Sequence, residues 1–568
     1  MRKIRIVSQI IFFLTFSILL LLINTYPLAY KFESNILLKL NPLTTLLVGL
    51  SSHFFIFDFL IISSTVLLFT ISFGRIFCGA ICPLGAMIDF VDHLSTKARS
   101  NERRPPIYLH RLKYIFLSIL LLLSIFGVLV PLFFDPLLLS TRIFTFLVDP
   151  LLKIIYNSSV QVLSVFSREA GDYLYQTFPV SIPLYLGLSL TLFLSVIIFA
   201  GTFWDKRFWC QYICPTGAFL GIMSRFSFFR RYVKKENCNS CSRCTRICPT
   251  RAISPRDVQK TSYSECIECG LCVEQKKICN TFSIKKPSSN YSLPLDIKRR
   301  HLLAGLAGGA LLLPVYKATA SIKRDDHGKL IRPPGSLPEE EFKNRCIACG
   351  ECMKACPTNA LQPCMFTDGF SKLYTPKIVP KIGGCEGQCA LCGSVCPTNA
   401  IRQVLSEEKP YIKIGTAVID RHKCLAWEQN KECVVCDEVC PFNAIDSREL
   451  DTVGGKFKVP IVKEDLCMGC GMCEHHCPVN DSAAISVYRF GENRKSKGPY
   501  VTGHQKQRMI EDRKKTGTET AYQNYSDIND SQKSKNASPG GFSDGKPNEL
   551  PESFLSEKKE ELPEGFTE

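Results

Sequence analysis

Cysteine spacing constrains this chain more than any other feature. Four cysteine runs stand between Cys346 and Pro478. The first is Cys346-x2-Cys349-x2-Cys352-x3-Cys356-Pro357, and the last is Cys467-x2-Cys470-x2-Cys473-x3-Cys477-Pro478. Such close spacing lets one short loop wrap three corners of an iron–sulfur cube, while the fourth cysteine points away and normally ligates a second cube. Two looser runs lie between them: Cys385, Cys389, Cys392, Cys396-Pro397, and Cys424, Cys433, Cys436, Cys440-Pro441. Four runs of four thiolates predict four [4Fe–4S] clusters. Zinc ribbons and a disulfide scaffold are the alternatives. Zinc sites usually separate two C-x2-C pairs by about a dozen residues or more, which the tight runs do not.

Upstream, Cys238-x2-Cys241-x2-Cys244-x3-Cys248-Pro249 is a further full run. Cys266-x2-Cys269-x2-Cys272 follows it, with a more distant fourth member, Cys279. Cross-ligation predicts one cube on Cys238, Cys241, Cys244 and Cys279, and another on Cys266, Cys269, Cys272 and Cys248. Six runs of four, hence six [4Fe–4S] clusters, account for 24 of the 29 cysteines. Cys78, Cys82, Cys210, Cys214 and Cys364 remain. Cys364 fits no run and reads as a small buried residue.

The first 230 residues are of another kind. Apolar runs cover residues 6–28, 54–73, 114–134 and 184–203, each near the ~20 residues that cross a bilayer. Basic clusters at Arg2–Arg5, Lys97 to Lys113 and Lys206 to Lys235 fall on one side if four spans alternate, and that side is the cytoplasm. The segment 135–182 is then outside, packing against the spans or lying in the interface. The formal charge of +17 could suit nucleic acid. Many of the basic residues flank apolar runs, however, and each oxidised cube with its thiolates adds roughly two negative charges. No nucleic-acid partner is expected.

Two of the spans end in a repeat. Gly74-Arg75-Ile76-Phe77-Cys78-Gly79-Ala80-Ile81-Cys82-Pro83-Leu84-Gly85 follows the second, and Lys206-Arg207-Phe208-Trp209-Cys210-Gln211-Tyr212-Ile213-Cys214-Pro215-Thr216-Gly217 follows the fourth. The four-residue step puts both sulfurs on one face of a helical turn. Two such pairs brought together suit a dithiol/disulfide site or a soft metal. The plain alternative is packing where helices meet the membrane surface.

With these paired C-x3-C-P motifs, four spans and the cluster runs after them, residues 1 to about 285 resemble the NapH/MauN membrane ferredoxins. That resemblance implies passage of electrons from quinol toward periplasmic reductases. A related family with paired C-x3-C-P motifs assists cytochrome oxidase assembly, which leaves a maturation factor as the second reading. Residues of about 338–490 resemble the NapG/MauM polyferredoxins, with Cys-Pro-Thr-Asn-Ala twice and the stretched Cys424-x8-Cys433 run. Related four-cluster subunits pair the first run with the fourth and the second with the third. Carried over, Cys477 completes the cube of Cys346, and Cys356 that of Cys467. Cys440 then joins Cys385, and Cys396 joins Cys424.

Between the modules, Arg299-Arg300 precede an apolar run of about 15 residues and Ala318-Thr319-Ala320, which resembles a twin-arginine export signal with an A-x-A site. A short helix packed between modules is the alternative. From residue 491 the Lys-, Ser-, Asn- and Gly-rich composition cannot bury a core. The expected order is therefore a multi-pass α-helical membrane domain (1–230), an α+β ferredoxin-like module with two clusters (231–290), a linker (291–337), a ferredoxin-like module with four (338–490) and a disordered tail (491–568). The expected location is a bacterial inner membrane, with the first module cytoplasmic and the second periplasmic. Expected partners are the membrane, quinol and a redox protein. No C-x-x-C-H haem attachment, Rossmann fingerprint, P-loop or H-E-x-x-H motif is present. An electron-transfer subunit is expected rather than a free-standing enzyme.

Overall fold

The computed structural model describes residues 2–23, 35–95, 107–168, 182–275, 279–284, 299–321, 328–405, 408–452, 455–479 and 482–500. Among the described residues, ten helices of eight residues or more form the bundle: α1 (Arg2–Leu22), α2 (Pro42–Ser52), α3 (Phe57–Phe73), α4 (Pro83–Ser95), α5 (Leu112–Ile125), α6 (Pro136–Ile143), α7 (Asp149–Phe166), α8 (Leu188–Trp204), α9 (Pro215–Met223) and α10 (Arg299–Ser321). Arg2–Leu22 and Tyr108–Ile125 are long and apolar enough to cross a membrane, while Pro42–Ser52, Phe57–Phe73 and Leu188–Trp204 are shorter apolar helices. Helices thus stand at all four expected spans, shorter than expected. The third ends at Ile125 in a turn at Gly127, whose φ is +77°. Residues 97–106, which carry part of the second basic cluster, lie outside the described residues.

The bundle has an apolar core with polar groups buried in it, and its outside is apolar too. Ile4, Val7, Ile10 and Leu14 on α1, Phe57, Ile61 and Leu68 on α3, and Phe193 and Val196 on α8 are all exposed. Within, Asp135 accepts from Asn41 and Thr216 and caps α6 through the amides of Leu137 and Leu138. A buried carboxylate with this many donors is a satisfied one. Residues 136–166 are almost wholly helical rather than an outside loop. α6 is buried along its whole length, whereas α7 leaves Leu151, Ile155, Val165 and Phe166 exposed.

α10 replaces the expected linker with 23 helical residues. Small residues let it lie on α5: a Cβ at Gly305 would meet Ser118, and one at Gly309 would meet Leu122 at 2.8 Å. The two helices run parallel. The start of α5 touches the first cysteine module, where Lys113 pairs with Glu265. Just beyond its end, Gly127 abuts Asn344 of the second. α8 repeats this in reverse: near its start the Thr191 hydroxyl meets Tyr374 at 2.6 Å, and after its end Asp205 pairs with Arg251 at 2.9 Å. The two modules therefore dock on opposite ends of one bundle.

Each module is built on two-stranded antiparallel sheets. In the first, Phe229–Val233 pairs with Asn280–Ile284. In the second, Leu361–Pro363 pairs with Pro376–Ile378, Thr416–Ile419 with Ile485–Tyr488, and Ile445–Thr452 with Gly455–Val462. The second module begins earlier than expected. Ile331 bridges to Ile378, and buried Arg332 binds Glu339 at 2.7 Å. It also ends later. Arg494 binds Glu339 at 2.8 Å, and Tyr500, 3% exposed, lies under Arg402. Residues 491–500 thus belong to the module rather than to a tail, and residues 501–568 lie outside the described residues.

Candidate iron–sulfur sites

In the four tight runs the backbone turns the same way. The residues on either side of the middle cysteine have positive φ: Ser240 and Ser242, Glu268 and Gly270, Ala348 and Gly350, Gly469 and Gly471. Alternating left-handed residues aim successive amides at one point, a concavity that suits anions and iron–sulfur groups. After the outlying cysteine, the third residue on is again left-handed: Arg251, Asn359, Asn399 and Asn443. Asparagine tolerates this conformation better than most residues. The chain thereby folds back, so that Ala252 donates to the Cys248 sulfur, Ile401 to Cys396 and Ala444 to Cys440. Such N–H···S bonds stabilise thiolate charge and help set cluster potential.

Cavities collect these sulfurs into sets. Cys248 faces Cys266, Cys269 and Cys272 in one. Cys356 joins Cys385, Cys389 and Cys392 in another. Cys477 joins Cys424, Cys433 and Cys436, and Cys440 joins Cys467, Cys470 and Cys473. Cys396 acts electrostatically on Cys346, Cys349 and Cys352. In the first module, Arg231 reaches the Cys244 sulfur at 3.6 Å and Asn280, which donates to Cys279 at 3.6 Å. These two sulfurs share one polar network. Four thiols per set, apolar walls and amides aimed at sulfur fit a [4Fe–4S] cube in the sets of Cys266, Cys385, Cys424 and Cys467.

In the first module Cys248 joins the set of Cys266, as the spacing predicts. In the second module the structure pairs the first run with the second and the third with the fourth, which corrects all four sets expected from related subunits. The reason is local. Each outlying cysteine turns back onto its sequence neighbour's loop, and the two halves then meet through the Cys385 amide, which donates to the Cys470 carbonyl at 2.7 Å. Cys364 is fully buried beside Arg332 and belongs to no set. His475 and His476 stand inside the last run, His475 facing the Lys381 carbonyl at 3.2 Å.

Acids beside the sulfurs are shielded from water. Burial pushes the carboxyls of Glu268 and Glu351 up to about 8, so each stays protonated near neutrality and adds no charge beside a cube. The set of Cys346 is seated on the bundle: Arg142 Nε donates to the Ala348 carbonyl at 2.7 Å, and Cys349 packs into the bundle core. The set of Cys266 is seated at the other end, where a Cβ at Gly79 would lie 2.3 Å from the Ile267 carbonyl.

The C-x3-C-P cysteines meet. Cys82 and Cys214 lie in the bundle core, with Cys78 and Cys210 packed against it. Sequence reasoning did not single out their arginines. Arg75 and Arg207 are buried, and Arg207 binds Asp89 and the Cys78 carbonyl. The signal was available, since each arginine stands three residues before the first cysteine of its repeat.

Family models described as 4Fe–4S binding domains match residues 55–101 with 186–236, and residues 341–362; a 4Fe–4S dicluster domain matches 431–480. The methylamine utilization ferredoxin-type protein MauM of Methylorubrum extorquens is 33% identical over 215 residues, 36% of this chain and 90% of that protein. The ferredoxin-type protein NapG of Escherichia coli is 34% identical over 229 residues, 36% of this chain and 96% of that protein. The putative electron transport protein YccM of Escherichia coli is 25% identical over 222 residues, 38% of this chain and 53% of that protein.

Proposed function

The chain belongs to the MauM and NapG family of ferredoxin-type proteins, and we propose that it carries electrons between a membrane quinol pool and a periplasmic reductase through six [4Fe–4S] clusters. On this reading the family's cluster module is fused in one chain to a NapH/MauN-type membrane part. The observation that carries it is the docking of the two modules on opposite ends of a bundle whose outside is apolar. Exposed apolar surface on this scale is what lipid would cover. Each cube, when bound, takes up and gives back one electron.

The chain's own residues supply the order. Cross-ligation ties the sets of Cys238 and Cys266 together, and the Cys266 set touches the bundle through Ile267. At the far end, Arg142 and Phe146 hold the loop of Cys346. The Cys346 set shares run residues with the Cys385 set, which reaches the Cys467 set through the Cys385–Cys470 bond, and that in turn is cross-linked with the set of Cys424. The first module is then cytoplasmic and the second periplasmic, in a bacterial inner membrane. α10 supports this as a crossing segment, because it runs parallel to α5 from one module to the other. Arg299 and Arg300 open it, where a twin-arginine signal belongs.

The test is reduction in native membranes. A quinol analogue should bleach the cluster absorbance of the full chain. Unchanged absorbance with a reducible dithionite control would sink the quinol route. A maturation factor is the second reading, favoured by the four C-x3-C-P thiols. A deletion strain separates the two: a lost carrier leaves its client complete but unreduced, whereas a lost maturation factor leaves the client without its cofactor.

A further inference from the structure

We propose that Cys78, Cys82, Cys210 and Cys214 together hold a seventh iron–sulfur centre, seated between the first ferredoxin module and the bundle. The inference rests on the electron-transfer reading above and adds a site to it.

The two repeats supply matching parts in matching places. Each has an arginine three residues before its first cysteine and a glycine three residues after its second. The Gly217 amide donates to the Cys214 sulfur at 3.2 Å, and the Gly85 amide does the same for Cys82. The arginines are exchanged between repeats. A Cβ at Gly217 would lie 2.9 Å from Arg75 Nη2, and one at Gly85 would lie 3.6 Å from Arg207 Nη2. This is the arrangement of a pseudo-two-fold axis, with four thiols gathered about it. Cys214 interacts electrostatically with Cys78, Cys82 and Cys210. The two halves of the split 4Fe–4S binding match are the two halves of this repeat.

Charge points to an anion among those thiols. Arg75 is attracted by Cys78 and Cys214, Lys113 by Cys214 and Arg207 by Cys210. Among the described residues Asp89 pairs with Arg207, and Glu265 with Arg75 and Lys113. Arg75, 2% exposed, also has a buried Nε without a hydrogen-bond partner. Buried cations gathered on thiols suit an anion there, and an iron–sulfur cluster on four thiolates carries roughly two negative charges.

Position supplies the use. Gly79, inside the first repeat, lies against Ile267 of the Cys266 loop, so the seventh centre comes next in line toward the bundle. α5 runs 14 residues from its contact with one module to its contact with the other, about 21 Å at 1.5 Å per residue. A centre at the near end shortens that gap. One electron enters and one leaves. No bond forms or breaks, and no proton or co-reactant is needed.

The experiment counts iron and acid-labile sulfide on the full chain, purified anaerobically in detergent, and records Mössbauer spectra. Six cubes alone give about 24 irons per chain. The wild type should hold about two to four more, and Cys82→Ser/Cys214→Ser should lose that excess and one spectral component while keeping the rest. Cys364→Ser should change nothing. If the double variant does not fold, the wild-type count and the single variant Cys78→Ser decide. A wild type with iron for six cubes only, or with stoichiometric copper or zinc removed by the double variant, overturns the proposal. Failure of quinol to reduce a chain that does hold the excess iron would instead count against the route and leave the centre standing.

Discussion

At the scale of single residues, the outlying cysteines decide how the second module is wired. The structure assigns Cys440 to the set of Cys467 and Cys385 to a different set with Cys356. The double variant Cys385→Ser/Cys440→Ser should therefore lose two cubes, about eight irons, while Cys356→Ser/Cys385→Ser should lose about four. Iron analysis of the purified variants checks this, and the reverse, about four lost in the first variant and about eight in the second, would restore the pairing inferred from related subunits. Glu339 is a second point of leverage. Burial acts to raise its pKa, but Arg332 and Arg494 hold it at about 2. A depressed carboxylate contributes stability that is full above its unfolded value near 4.5 and is lost as pH falls through its folded value. Its contribution is ~3 kcal/mol. Glu339→Gln should lower the melting temperature of the second module at pH 7, and the gap to wild type should shrink to roughly half or less by pH 3. A gap independent of pH would show that the ion pair is not its source.

At the scale of elements, the segment between the modules behaves least as its sequence suggests. Its apolar run looks too short for an ordinary span, yet the helix extends to 23 residues because flanking polar residues continue it at both ends. Its place is set by glycine. Gly305 leaves room for Ser118 and Ile115 of α5, an approach that any side chain would block. Gly305→Leu should force α10 off α5 at a cost of about 1–3 kcal/mol, read as a lower melting temperature and faster proteolysis before residue 328. Gly308 has only distant contacts, at 3.6 Å and beyond, so Gly308→Ala should be nearly silent. The cluster loops are the opposite case. Their cysteine spacing was legible because wrapping a cube needs short loops, and the left-handed residues found there follow from the same need.

At the scale of the whole molecule, opposite docking makes a topological statement. Protease added to intact spheroplasts should digest the second module and spare the first, while Arg299→Lys/Arg300→Lys should protect both. Protection of both in the wild type, with known periplasmic markers digested, would put all six clusters on one side. The docking surfaces are polar and specific. Lys354 of the second module pairs with Asp149 of the bundle, both 1% exposed, and Gln362 donates to the Leu184 carbonyl at 3.0 Å. Removing one partner of such a buried pair is expensive, about 3–5 kcal/mol.

Local chemistry was readable from the chain alone. Cysteine spacing picked out the thiols that the structure gathers into sets, because short loops bring them together, and apolar runs located the main helices. What spacing cannot specify is which distant groups meet. A thiolate finds its cube through the path of the intervening backbone, and that path depends on asparagines at positive φ and on strands pairing up to 72 residues apart, as Thr416 does with Tyr488. Likewise nothing in either C-x3-C-P repeat says that its arginine will serve the other. Only the packing of two similar helix ends about a common axis brings four thiols and two guanidinium groups into one buried place, and the charge balance there is a property of that packing.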